Sequence, residues 1–211
     1  MPVITEFREI PRKPKRRIMV LDDDREIEIG LEIALTAGIA EGRTVTPQGL
    51  HRAILDDQLR EAQDTALRLL SHKQLSHGEL RRKLSLFGKE AVENAVAKCA
   101  EWGYLNDRKL AELIVRDSVE LKRHGPRRIR QTLYKRGIDE ETANAAVAAF
   151  DGEQPPLVEQ ALAALKSKRR SLERLDEQTA RRRITGFLQR RGFDFGTIRE
   201  ATDVFMTTSD D

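Results

Sequence analysis

Apolar residues recur at one fixed spacing in three separate stretches of the chain. In each stretch, an aliphatic residue is followed by leucine four positions later and by glycine four positions after that. The copies are Leu80, Leu84 and Gly88; Ile129, Leu133 and Gly137; and Ile184, Leu188 and Gly192. Residues i and i+4 share one helix face, and glycine readily takes the left-handed conformation that ends a helix. The pattern therefore predicts three similar helices, each ending at its glycine, in an array with a repeat of about 50 residues.

The N-terminal part of the chain follows a different pattern. Its β-prone and partly alternating segments are separated by polar residues and occupy positions 3–10, 17–21 and 26–29. They predict a small antiparallel hairpin or a three-stranded sheet. A short helix is expected next, from Leu31 to Ala37. Thr46 followed by Pro47 then marks the start of another helix, because threonine is a good N-cap and proline suits the first helical position.

From about residue 50 onward, the periodicity is helical and the predicted helices carry start signals. Ser76 and Glu79 have the spacing of a capping box. Asn106 and Asp139 are good N-cap residues. The Gly125-Pro126 pair breaks one helix and begins the next. These signals predict three helices in each repeat.

The sequence thus predicts a mostly α-helical fold, with three tandem three-helix repeats in an elongated array behind a small N-terminal β-hairpin/helix module. A polar segment with two prolines, residues 151–156, is expected to link the second repeat to the third. The expected boundaries are 1–58 for the N-terminal module, 59–105, 106–152 and 153–206 for the repeats, and 207–211 for a disordered tail.

Composition narrows the class of protein. Charged residues make up 35% of the 211 residues and hydrophobic residues 39%, a balance that suits small helical units better than one large core. The net charge of +3 is too small to establish a polyanionic partner, although basic residues cluster locally. Cys99 is the only cysteine, which agrees with a reducing, cytoplasmic setting. No apolar run approaches the roughly 18 residues of a membrane helix, and we see no secretion signal.

The sequence carries few motifs that are typical of a catalytic or metal site. Four histidines are scattered without metal-ligand spacing, and neither a glycine-rich phosphate loop nor a serine elbow is present. The acidic triplet 22–24 suits a polar hairpin turn far better than a magnesium site. We therefore expect no enzyme activity, no cofactor and no metal site.

The second helix of each repeat carries the most informative surface. Around Ile129 and Leu133, which set the buried direction, basic and polar side chains point outward or flank the buried face. Such a face can bind phosphates or protein carboxylates, although it can equally be a solvated amphipathic helix. Repetition favours a periodic partner, such as a nucleic acid or a protein filament. The candidate partner-binding residues are Arg81, Arg82, Arg127, Arg128, Arg130, Gln131, Tyr134, Lys135, Arg182, Arg183 and Arg190.

Several of these stretches resemble the bacterial RecX family, whose members regulate the RecA recombinase. The central motif runs through 103–107, 125–131 and Gly137-Ile138; the segment 79–84 resembles the first repeat of the family, and 191–193 resembles its last. The resemblance covers about residues 60 to 205. The N-terminal module is similar to the strand-rich extension of longer members, which is a weaker match.

The resemblance implies a non-enzymatic, monomeric regulator without cofactors. It implies that the chain binds RecA filaments along their groove, contacts DNA there, and mainly inhibits ATP hydrolysis, filament growth and strand exchange. The residues alone leave a second reading open. Each three-helix unit resembles a helix-turn-helix in outline, so the chain could be a helical DNA-binding regulator that acts without RecA.

Overall fold

The computed structural model describes residues 1–151 and 155–208. The predicted fold class is confirmed, because the chain is mostly helical with a small antiparallel sheet at its N-terminus. Two compact units are present. The first consists of Met1–Lys73 with Leu80–Tyr104, and the second consists of Gln74–Glu79 with the chain from Leu105 onward.

The sheet of the first unit has three strands in the order β1-β2-β3, each antiparallel to its neighbour. Met19 and Leu21 on the central strand are buried because alternate side chains of a strand point to one face. They form a core with Ile4 and Ile29 and with residues of the following helices. The strands are β1 Ile4–Glu9, β2 Arg16–Leu21 and β3 Glu26–Gly30.

Two helices follow the sheet, α1 Leu31–Thr36 and α2 Pro47–His72. Helix α2 begins as expected, with the Thr46 hydroxyl accepting a hydrogen bond from the Gly49 N–H at 3.0 Å. It then continues for 26 residues, so the expected domain boundary between residues 58 and 59 falls inside one helix. No proline or second cap interrupts this stretch.

The buried Asp57 ties α2 to the sheet. Its carboxylate accepts a hydrogen bond from the Gly30 N–H at 2.8 Å and forms an ion pair with Arg16 at 2.8 Å. Both contacts satisfy a carboxylate that is only 6% exposed.

Helices α3 His77–Lys83 and α4 Lys89–Glu101 come next. The prediction that the first repeated helix ends at a left-handed Gly88 is wrong. Helix α3 stops five residues earlier, at Lys83, and Gly88 has φ −59° and is the N-cap of α4. Glycine permits a positive φ without requiring it, so its conformation depends on the chain that follows.

In the second unit, helices α5 Asp107–Glu120, α6 Pro126–Lys135 and α7 Glu140–Asp151 pack around one core. The i, i+4 pair Ile129 and Leu133 is buried in it. Gly137 takes the predicted left-handed conformation, with φ +75°. The caps are also as predicted: Asn106 accepts from the Lys109 N–H at 2.9 Å, and Asp139 from the Thr142 N–H at 2.8 Å.

The last bundle of the second unit begins with α8 Leu157–Leu165, which a 3₁₀ turn at Lys166–Lys168 joins to α9 Arg169–Leu172. Helices α10 Glu177–Arg191 and α11 Phe195–Thr207 complete it. Gly192 is left-handed, with φ +89°. Part of the expected tail is helical, because α11 includes Thr207, and residues 209–211 lie outside the described residues. Residues 152–154 of the expected linker also lie outside them.

Candidate partner-binding surface

Helix α6 presents its polar side chains opposite a buried apolar edge. Ile129 is 2% exposed and Leu133 is fully buried. At about 100° per residue, Arg127 and Gln131 therefore point into solvent, and Arg128 is exposed beside them. Proline at the first position and Gly125 as N-cap start the helix directly before these arginines.

Helix α10 repeats this arrangement. Ile184 and Leu188 are fully buried, whereas Arg182, Arg183 and Arg190 are exposed. The Asp176 carboxylate caps the helix by accepting from the Thr179 N–H at 2.9 Å, and this hydrogen bond is the main reason that the pKa of Asp176 is lowered.

The ends of α6 and α10 meet around a shallow hollow of about 600 Å³, which is lined by Arg127, Arg128, Gln131, Gln189, Arg190 and Gly192. A second hollow of about 410 Å³ lies along α10. Arg190 lines both hollows, so together they form one continuous surface, which we call the basic surface. Its polar members are Arg127, Arg128, Gln131, Lys168, Ser171, Arg182, Arg183, Gln189 and Arg190.

The cations of the basic surface are not paired with carboxylates in the part of the chain that the structure describes. Arg128 instead donates to the side-chain oxygen of Gln131 at 2.9 Å. The pKa of nearby His124 is lowered, first by burial and then by Arg191, Arg128 and Lys122. The surface is therefore suited to guanidinium recognition of phosphate or carboxylate groups.

Some predicted residues do not join this surface. Arg130 is half-buried on another side of α6, where its Nε donates to Asn144 on α7 at 3.0 Å. Tyr134, 43% exposed, and Lys135 lie on α6 but line neither hollow.

Arg81 and Arg82 belong to the first unit rather than to the unit that carries the basic surface. Arg81 is already held by its neighbour, because its guanidinium donates to both carboxylate oxygens of Glu93, at 3.0 and 3.1 Å. The hydrogen bond from Arg81 also lowers the pKa of Glu93.

Three polar residues of the basic surface, Lys168, Ser171 and Gln189, were not among the candidates. Gln189 had a local signal, because it stands directly before the predicted Arg190 on the same helix. Lys168 stands in a local cluster of basic residues, but it is not on the repeated helix, and only the fold brings it to α10.

Residues 1–151 and 155–208 offer few other settings for chemistry. In this part of the chain, no cluster of three His, Cys, Asp or Glu side chains is arranged to hold a metal ion, and no helix is long and apolar enough to cross a membrane. Cys99 is fully buried, and burial raises the pKa of its thiol.

Comparison with known proteins places these bundles in a family. Residues 106–147 match the family model described as the second three-helix domain of RecX, and residues 157–202 match that of the third. The chain is 30% identical to "Regulatory protein RecX" of Clostridioides difficile (strain 630) over 208 residues, which cover 98% of this chain and 97% of the relative. It is 38% identical to a protein of the same name from Thermus thermophilus over 142 residues, which cover 67% of this chain and 89% of the relative.

Solved structures agree on the fold. A crystal structure of regulatory protein RecX has a TM-score of 0.66 and 21% identity, with 96% of this chain and 100% of that chain covered. The crystal structure of RecX from Lactobacillus salivarius has a TM-score of 0.62 and 23% identity, with 74% of this chain and 98% of that chain covered.

Proposed function

The chain belongs to the RecX family, and we propose that it is a regulator that binds RecA recombinase filaments along their groove and restrains them. In this proposal, it mainly inhibits RecA ATP hydrolysis, filament growth and strand exchange, and it contacts DNA within the filament. It acts in the cytoplasm as a monomer, without a cofactor or catalysis of its own. The name of its relatives, regulatory protein RecX, supports the regulatory role.

The observation that carries the proposal is the basic surface shared by α6 and α10. Arg127, Arg128 and Arg190 come from two successive bundles and line one hollow without a carboxylate partner. A filament offers acidic groups at regular intervals, and tandem units bind such a partner with linked contacts that raise the local concentration for one another.

The test measures binding of the purified chain to RecA-coated single-stranded DNA, formed with a nucleotide analogue, and to naked DNA. Each Arg→Glu change in the hollow should cost at least about tenfold in affinity, since a hydrogen bond to a charged group contributes roughly 1.5–3 kcal/mol. The test variant is Arg127→Glu with Arg190→Glu. The control, Arg116→Glu with Arg199→Glu, makes the same change in net charge at exposed positions outside the basic surface.

We expect the test variant to lose filament binding and inhibition of RecA ATP hydrolysis, and the control to keep both. Binding of the wild type should also weaken as salt is raised. Retained inhibition by the test variant would remove the basic surface from the proposal. Equal binding of the wild type to naked and RecA-coated DNA would favour the alternative, a DNA-binding regulator that acts without RecA.

A further inference from the structure

The end of α10 lies in direct backbone contact with the start of α6. The Gly125 N–H donates to the Arg191 carbonyl oxygen at 2.8 Å, and the Arg127 N–H donates to the Gly192 carbonyl oxygen at 3.1 Å. A Cβ built on Gly125 would lie 2.8 Å from the Gly192 backbone, so a side chain at this position would force the two helices apart. We call this contact the second junction.

The side chain of Arg191 closes the second junction. Its guanidinium donates to the carbonyl oxygens of Lys122 and Arg123, just beyond the end of α5, and lies 4.9 Å from the centre of the Phe187 ring. A cation is favoured there because the last carbonyl groups of a helix carry partial negative charge. Arg191 thus links the end of α10 to the end of α5, next to the start of α6.

A similar set of contacts occurs a second time within the second unit, at what we call the first junction, where a side-chain hydroxyl replaces the backbone donor. The Ser76 hydroxyl donates to the Arg136 carbonyl oxygen, and the Arg136 guanidinium donates to the Gln74 carbonyl oxygen at 2.9 Å. A Cβ built on Gly78 would lie 2.6 Å from the Gly137 carbonyl oxygen. Glycine and a carbonyl-binding arginine therefore appear together at both junctions.

The arginine is present only in the two copies of the repeated pattern that form a junction. Arg136 and Arg191 each directly precede a left-handed glycine. In the remaining copy of the pattern, Phe87 precedes Gly88, which has φ −59° and makes no such contact among the residues that the structure describes.

We propose that Arg191 is a positioning residue, which holds α10 against α5 and α6 and so sets the distance between Arg190 and the Arg127–Arg128 pair. Without this link, the register of the two bundles at this point depends on the backbone hydrogen bonds of Gly125 and Arg127, and the hollow between their arginines varies in width. The consequence for filament binding rests on the proposed function. The effect on the relative position of the two bundles does not.

The experiment measures the distance between spin labels on α7 and α11 by pulsed electron paramagnetic resonance, using the full chain. The labels replace the exposed Ala145 and Glu200 through Ala145→Cys and Glu200→Cys. Cys99 stays in place because it is fully buried and its thiol pKa is raised. Arg191→Gln is compared with the conservative Arg191→Lys and with the matched control Arg190→Gln, and circular dichroism reports the helix content of each.

We expect Arg191→Gln to broaden the distance distribution. We expect it to weaken filament binding by about tenfold, the loss expected when one charge-assisted hydrogen bond between the hollow and its partner is no longer made. Arg191→Lys keeps a donor for the carbonyl groups of Lys122 and Arg123 and should restore much of the narrow distribution. Arg190→Gln should weaken binding, because the Arg190 side chain faces the hollow. It should leave the distance distribution narrow.

A narrow distribution for Arg191→Gln would overturn the proposal, and weakened binding in that case would mean that Arg191 touches the partner directly. A broad distribution with unchanged binding would equally contradict a positioning role. If Arg191→Gln does not fold, a wild-type distribution and wild-type binding for Arg191→Lys support the proposal, and a broad distribution for Arg191→Lys contradicts it. Because the distances are measured without RecA, failure of the proposed function is seen separately, as absence of binding by the wild type.

Discussion

The two junctions of the second unit share a close glycine contact and an arginine that donates to carbonyl oxygens, but they differ in charge. At the first junction, the Arg136 guanidinium donates to both carboxylate oxygens of Glu79, at 2.7 and 3.0 Å, with side chains that are only 23% and 16% exposed. Glu79 directly precedes Leu80 of the repeated pattern, and Arg128 directly precedes Ile129. At the second junction, an arginine therefore stands where the first has a glutamate.

This difference shows that the geometry of a junction and its charge are set by different residues. Glycine and the carbonyl-binding arginine fix the contact in both places. The residue before the aliphatic position decides whether the arginine is neutralised within the chain or adds to a positive field. The first junction is closed as an ion pair, and the second leaves its charge to the basic surface, where an acidic partner can use it.

Changes at the junctions should alter the free energy of unfolding, measured by urea denaturation, to different extents. Breaking the backbone contact should have the largest effect. Gly192→Ala places a Cβ 2.3 Å from the Arg128 nitrogen at a position with φ +89°. We expect it to lower the free energy of unfolding by about 3 kcal/mol or more, since a left-handed L-residue costs roughly 1–2 kcal/mol before any overlap is counted.

The control is Gly103→Ala, because Gly103 has φ +78° but open space around it. Only the conformational cost of about 1–2 kcal/mol should apply there. Equal losses for the two variants would show that close contact at the second junction does not matter.

Replacing the glutamate of the first junction by the arginine of the second should have the next largest effect on the free energy of unfolding. Glu79→Arg leaves the half-buried Arg136 facing another cation and also removes the hydrogen bond from the Ser76 N–H to Glu79. We expect a loss of roughly 1–3 kcal/mol in the free energy of unfolding. Glu79→Gln, which keeps an acceptor without the charge, should lose less. Wild-type stability of Glu79→Arg would mean that the ion pair contributes nothing to this junction.

Removing the helix cap just after either junction should lower the free energy of unfolding by a similar amount, because the two caps make the same hydrogen bond. Asp139 and Asp194 accept hydrogen bonds from the N–H groups of Thr142 and Thr197, which are the first cause of the lowered pKa of each carboxyl. Asp139→Ala and Asp194→Ala should each cost about 1 kcal/mol at neutral pH.

The pH dependence follows from the direction of these pKa shifts. A carboxyl whose pKa is lower in the folded chain contributes stability above its unfolded pKa, near 3.9, and loses it as the pH falls through the folded value. The difference between wild type and either variant should therefore shrink as the pH falls below about 4. A difference that stays constant down to the lowest pH at which the chain remains folded would contradict the cap assignment.

Replacing the arginine of the second junction by the glutamate of the first should have the smallest effect on the free energy of unfolding. Arg128→Glu offers Arg191 a carboxylate, and we expect the free energy of unfolding to stay level or rise by less than about 1 kcal/mol. Filament binding should nevertheless fall by at least about tenfold, because a charge-assisted contact is replaced by repulsion. The control is Arg116→Glu, outside the basic surface. Wild-type binding by Arg128→Glu would show that the second junction does not serve the partner.

Much of the fold could be predicted because its signals are local. The Ser76–Glu79 capping box, the Asn106 and Asp139 caps and the break at Gly125-Pro126 all act within a few residues of the chain. Gly88 was the exception, because the sign of φ at a glycine depends on whether the neighbouring chain forms a junction or begins a new helix.

The periodicity of apolar residues was enough to tell which arginines point away from the core, because that depends only on helix geometry. It could not tell what each outward arginine meets. Arg81 meets Glu93 and Arg130 meets Asn144, each supplied by the next helix, whereas Arg127 and Arg190 meet at one hollow although they are far apart in the chain. Charge compensation depends on distances of a few ångströms between side chains from different helices, and only the packing of the bundles sets those distances.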